Sequence, residues 1–182
     1  DDIRNLAHSL LAQGVTAEPL TRTIAALLDA LARRVIEFVL TRHAVGRSDW
    51  CWLALGSEGR SEQTFASDQD NALVFVPDGD VALHRGRLLA FAHSVNDAFA
   101  ALGVPLCEGG VMAGNLDYCL TLDEWKERFL GWLTAPTPQA LLGERDRRHS
   151  TAATLAAATA ADDVRASFFP QIASTTVREV RI

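Results

Sequence analysis

Leu20, Ile24, Leu27, Leu28, Leu31, Val35, Phe38 and Val39 recur at steps of three and four residues, the period that keeps side chains on one face of an α-helix. The spacing predicts a long helix that opens at Thr16, a residue type suited to an N-cap. A shorter helix over residues 3–12 precedes it and stops near Gly14. After a polar break at Gly46, Arg47, Ser48 and Asp49, the run from Trp50 to Leu55 is apolar at odd and even positions alike. That is the pattern of a central strand covered on both faces, and it ends at Gly56.

A helical turn is expected to begin at about Gly59, and Asp70 to Val76 reads as a second strand bounded by Pro77, Asp78 and Gly79. Leu88, Ala92, Val95, Phe99 and Leu102 mark one face of a helix over Val81 to Leu102, with Gly103 as its stop. Residues 104–112 read as a third strand, flexed at Gly109 and Gly110. Thr121 and Glu124 make a capping-box pattern ahead of Trp125, Phe129, Trp132 and Leu133, and Pro136 and Pro138 end that helix. The tryptophans, Trp50, Trp52, Trp125 and Trp132, sit among other apolar residues and are expected in the core. There is no internal repeat. Strands alternating with helices predict an α/β (α+β) domain, a mixed sheet of few strands with helices added at both ends. Residues 1–45 are read as an N-terminal helical segment on the core, 46–142 as the core, and 143–182 as a divergent, helical or mobile tail.

Composition narrows the function classes. A chain of 182 residues can bury a core of its own. Every apolar run is broken well short of a membrane span, so no membrane partner is expected. The net charge of -6 and a pI near 5.3 argue against nucleic acid as a partner, since phosphate backbones are gripped by clustered Lys and Arg. Cys51, Cys107 and Cys119 form no CxxC pair and suit reduced thiols in a cytoplasmic protein. The chain begins with Asp and has no leader pattern, so it is expected to be part of something longer that carries regulatory domains. The five histidines lack metal-ligand spacing, and Ser57 lacks the G-x-S-x-G context of a hydrolase nucleophile.

The chemistry concentrates between the first two strands, in Gly56-Ser57-Glu58-Gly59-Arg60 and Asp68-Gln69-Asp70-Asn71. A glycine directly after a buried strand permits close approach of a ligand to the backbone, and Ser57 adds a hydroxyl where a helix would begin. Such a corner suits a phosphate. Asp68 and Asp70, two apart at a strand entrance, should project to one side, the side of Ala72 and Val74. Two carboxylates about 5 Å apart repel by roughly 3 kcal/mol at an effective dielectric of about 20, a cost that a divalent cation relieves. Arg60 is a candidate for the phosphate charge. The plainer alternative is a turn with an N-cap followed by an exposed acidic loop.

With those residues in hand, Trp52 to Phe75 resembles the nucleotidyltransferase superfamily signature, a Gly-Ser followed after a short helix by Asp-x-Asp. The run GSEGRSEQTFASDQDNALVF, then CEGGVMAGN and DEW, resembles more narrowly the nucleotidyltransferase domain of unknown function 294, found with CBS and cyclic-nucleotide-binding domains in signalling proteins. That family is similar in turn to the catalytic domain of protein-PII uridylyltransferase. The resemblance spans roughly residues 1–142 and implies a nucleotidyltransferase-like fold. It implies Gly56 and Ser57 at the triphosphate, Mg²⁺ or Mn²⁺ on Asp68 and Asp70, and supporting roles for Arg60, Glu62, Gln63 and Asn71. It further implies an NTP as donor and a hydroxyl on a protein or small molecule as acceptor in a signal-transduction setting. A third carboxylate is generally needed, for which Glu108, Asp117 and Asp146 are candidates. Glu108 stands where members have Pro and Gly114 where they have Ser, and the expected Phe-Phe-Asp-x-Arg stretch is absent. A catalytically inactive nucleotide-sensing or regulatory module is therefore the second expectation.

Overall fold

A computed structural model describes residues 2–45, 50–60, 62–64, 67–134 and 178–179. Two helices come first, α1 (Asp2–Ala12) and α2 (Ala17–Leu40), separated by Gly14 at φ 85°. Strand β1 (Trp50–Ala54) follows, then a single helical turn α3 (Gly56–Gly59), strand β2 (Asn71–Phe75) and helix α4 (Val81–Ala101). A 3₁₀ turn (Leu116–Tyr118) leads into β3 (Cys119–Thr121) and α5 (Leu122–Thr134), and β4 (Arg178–Glu179) closes the order. No helix among the described residues is long and apolar enough to cross a membrane.

The sheet is mixed and runs β3-β2-β1-β4. β1 and β2 pair antiparallel, Trp52 opposite Leu73 and Ala54 opposite Asn71. β2 and β3 pair parallel, and β4 lies antiparallel on β1 beside Leu53 and Ala54. All five residues of β1 and of β2 are buried, as the unbroken apolar run in β1 anticipates. Alternate residues divide between two cores. Trp50, Trp52, Leu73 and Phe75 face α2 and α4, whereas Cys51, Leu53, Ala72 and Val74 face Trp125 of α5. Trp50, Trp52 and Trp125 are all buried in this way, and the Trp125 Nε1–H donates to the Leu73 carbonyl at 3.1 Å. Trp132's side chain and the proline stop at Pro136 and Pro138 lie outside the described residues.

Several elements differ from the pattern the sequence predicts. Residues 104–112 do not form a strand. Pro105 has no N–H to give a ladder, and Gly110 turns the chain at φ 67°. The third strand is instead Cys119–Thr121, immediately before the α5 cap. The early turn starts at Gly56 rather than Gly59. On α2 the buried face includes Ala32, Ile36 and Leu40, while Phe38 is 57% exposed and lies under the Arg42 guanidinium at 4.2 Å. The capping box forms as predicted: the Thr121 N–H donates to Glu124 Oε2 at 2.8 Å, and the Glu124 N–H donates to Thr121 Oγ1 at 3.2 Å.

Candidate functional site

The end of β1 and the approach to β2 meet where the Leu55 N–H donates to the Asp70 carbonyl at 2.8 Å, one step beyond the β1–β2 ladder. Gly56 then turns at φ 54°, a conformation that favours glycine. Space demands glycine as well. A Cβ built on Gly56 would stand 2.2 Å from Asp70 Oδ2, so the carboxylate occupies the room that any side chain would take. The Gly-Ser corner and the second acid of the Asp-x-Asp pair are thus packed against each other.

Ser57, Asp68 and Asp70 are all half-buried. The Ser57 hydroxyl donates to Ser67 Oγ over a long 3.4 Å, and Ser67 Oγ also accepts from the Thr64 N–H at 2.9 Å. Arg60, at the end of the turn, is held by Glu62 through a 2.6 Å contact from Nε. Gln63 is buried and Glu62 is exposed. Oxygens of Asp68 and Asp70 and the sulfur of Cys107 all lie within 4.8 Å of one another, a grouping that can hold a metal ion. Neighbouring ligand oxygens around a cation with metal–oxygen distances of about 2.0–2.6 Å fall within that range of each other.

Of the residues singled out in the sequence, Gly56, Asp68 and Asp70 are brought together, with Ser57 on the same corner. Asn71 is placed differently. Its side chain turns toward α4, where Oδ1 accepts from Asn96 Nδ2 at 3.0 Å and from the Ala113 N–H at 2.8 Å. Asn96 Nδ2 also donates to Gln69 Oε1 at 2.8 Å, Asn96 Oδ1 accepts from the Gly114 N–H at 3.1 Å, and Gln69 Nε2 donates to the Asn96 and Val104 carbonyls. Gln69, Asn71 and Asn96 are each at most 3% exposed and satisfy one another, as buried amides must. Gln69 and Asn71 flank Asp70, so this network fixes the backbone that carries the carboxylate. A Cβ at Gly114 would lie 2.9 Å from His93 Nδ1 and 3.0 Å from Asn96 Oδ1, so a side chain there would have to displace them.

Sequence reasoning missed Asn96 and Cys107, because only folding brings α4 and the 104–112 segment to Asp70. Burial pushes the Cys107 thiol up, against a lowering hydrogen bond from the backbone at Val111, and the negative charge of Asp70 adds to the rise. The Cys107 Sγ lies 3.4 Å from Asp70 Oδ1, with the thiol as donor. Among the candidate third acids, Glu108 is exposed and Asp117 lies 3.7 Å from the Arg128 guanidinium, while Asp146 lies outside the described residues. No disulfide links Cys51, Cys107 or Cys119, and burial drives the Cys119 thiol to about 12.

Comparison with curated proteins and with solved structures gives no match. Comparison with family models does, over residues 1–139, a stretch that includes the strand, the Gly-Ser corner, the two aspartates and α5. On that match the chain belongs to the family described as putative nucleotidyltransferase DUF294.

Proposed function

We propose that the protein transfers a nucleoside monophosphate from an NTP to a hydroxyl of a protein or small molecule, as an enzyme of the protein-PII uridylyltransferase-like class. The observation that carries this reading is the contact between Gly56 and Asp70, where the absence of one side chain lets a carboxylate rest on the Gly-Ser corner. Asp68 and Asp70 hold a divalent ion, Mg²⁺ or Mn²⁺, and Gly56, Ser57 and Arg60 hold the triphosphate. When bound, the ion offsets the repulsion between the two carboxylates and polarises the phosphate under attack.

The chain's own groups account for the rest. The Gly56–Ser57 backbone offers N–H groups to phosphate oxygens, and the Ser57 hydroxyl exchanges its 3.4 Å contact with Ser67 for one to the triphosphate. Arg60 brings positive charge to the end of the turn, steadied by Glu62. The amide network beneath Asp70 prevents the loop from relaxing when the substrate's charge arrives. The same proposal puts the protein in the cytoplasm and in signalling beside regulatory domains, as the resemblance to the family implies.

A second reading, a nucleotide-sensing module without catalysis, is favoured by one observation: among the described residues, the third member of the acidic group is a thiol rather than a carboxylate. The two readings separate on incubation of the protein with α-labelled NTPs, Mg²⁺ or Mn²⁺ and a cell extract as acceptor source. Transfer of label with pyrophosphate release, lost in Asp68→Asn and Asp70→Asn, supports the enzyme. Metal-dependent NTP binding without label transfer supports the sensor, and transfer that survives both substitutions removes the two aspartates from the mechanism.

A further inference from the structure

Beside Asp68 and Asp70, read above as the first two ligands of a metal ion, stands a third side chain that the sequence did not nominate. Cys107 Sγ lies 3.4 Å from Asp70 Oδ1 and within 4.8 Å of the Asp68 ligand oxygen. Its place is fixed from several sides. The Gln69 N–H donates to the Pro105 carbonyl at 2.9 Å and the Asn71 N–H to the Val111 carbonyl at 3.0 Å, which ties the 104–111 segment to the chain on either side of Asp70. The Gly110 N–H donates to the Cys107 carbonyl at 3.0 Å, closing the turn that presents the sulfur. Gln69 Nε2 holds the Val104 carbonyl at 3.0 Å from the buried side.

We propose that Cys107 is the third protein ligand of this site and that its sulfur biases the site away from Mg²⁺ toward softer divalent ions of the Zn²⁺ and Cd²⁺ class; the assignment rests on the proposed metal role of Asp68 and Asp70. Mg²⁺ demands oxygen ligands in near-octahedral array and dehydrates reluctantly, whereas thiolate sulfur selects softer ions. Two carboxylates alone discriminate little against hard ions; one sulfur in the set widens the preference for softer ones. Coordination forms one sulfur–metal bond and releases the thiol proton to solvent, with no change of oxidation state.

The test uses the full chain and Cd²⁺ as probe, followed by the ultraviolet sulfur-to-cadmium charge-transfer absorption, with Mn²⁺ binding followed separately by electron paramagnetic resonance. The wild-type chain should develop the band to saturation. Cys107→Ser, with Cys107→Ala as a second variant checked for native circular dichroism, should abolish it and weaken Cd²⁺ binding by roughly tenfold or more, while Mn²⁺ binding falls much less. Cys51→Ser and Cys119→Ser should keep the band. Cys107→Asp should raise Mg²⁺ affinity relative to Cd²⁺. A band that persists in Cys107→Ser, or no band where Mn²⁺ binds in dependence on Asp68 and Asp70, overturns this inference and leaves the proposed function standing. Metal binding indifferent to Asp68→Asn and Asp70→Asn, or no metal binding at all, overturns both.

Discussion

Gly56 combines two constraints that are usually met separately, a left-handed backbone and a neighbour in the space of its Cβ. Gly56→Ala must therefore strain the turn and push Asp70 off the corner. We expect a loss of stability of about 1–3 kcal/mol in chemical denaturation, and a loss of divalent-ion binding larger than that stability change accounts for. Asn96 offers the complementary test, because it touches no part of the proposed ligand site. Asn96→Ala removes three buried side-chain hydrogen bonds and leaves Gln69 Oε1 and the Gly114 N–H without their partner. Denaturant unfolding should register about 2–4 kcal/mol. Loosening of Asp70 should appear as weaker metal binding in the fraction that remains folded. That Asp68 and Asp70 come close together was legible in the sequence, since residues two apart at the entrance of a strand can share a side. Asn96 and Cys107 were not, since the bonds that recruit them span 25 and 37 residues.

At the scale of elements, the signals that survived folding are local ones. Thr121 and Glu124 announce α5 by a pattern four residues long, Gly103 ends α4 at φ 93°, and β1 declares its two-sided burial by being apolar throughout. What failed depended on partners. Residues 104–112 have strand-like composition and even offer carbonyls to the approach to β2, yet Pro105 and the Gly110 turn keep them from a ladder. The outward turn of Phe38 was hidden because the helical period alone does not decide which of two adjacent stripes meets α4. The α5 cap also makes a pH prediction. Burial raises the Glu124 carboxyl, but the hydrogen bonds from Arg85 and from Thr121 outweigh it, so its pKa in the folded chain is lowered. A carboxyl with a depressed folded-state pKa stabilises above its unfolded pKa, near 4.3, and loses that contribution as pH falls through the folded value. Glu124→Gln should accordingly flatten the acid limb of a stability profile below about pH 4.5. Thr121→Ala, which removes one arm of the box, should cost about 1 kcal/mol by thermal unfolding at neutral pH.

For the whole molecule, the two cores on opposite faces of the sheet leave the end of β1 and the entrance of β2 as the place where polar groups converge. Helix α4 supports that end from one side through Asn96, and the 104–111 segment closes on it from another through Cys107. On the proposed function, this convergence binds a triphosphate through a divalent ion held by Asp68 and Asp70. Isothermal titration of an NTP into the protein, with and without Mn²⁺, tests it most directly. Binding should require the ion, and Asp70→Asn should weaken it by roughly tenfold or more. Equal NTP affinity with and without Mn²⁺, or affinity unchanged in both Asp68→Asn and Asp70→Asn, would contradict the proposed function.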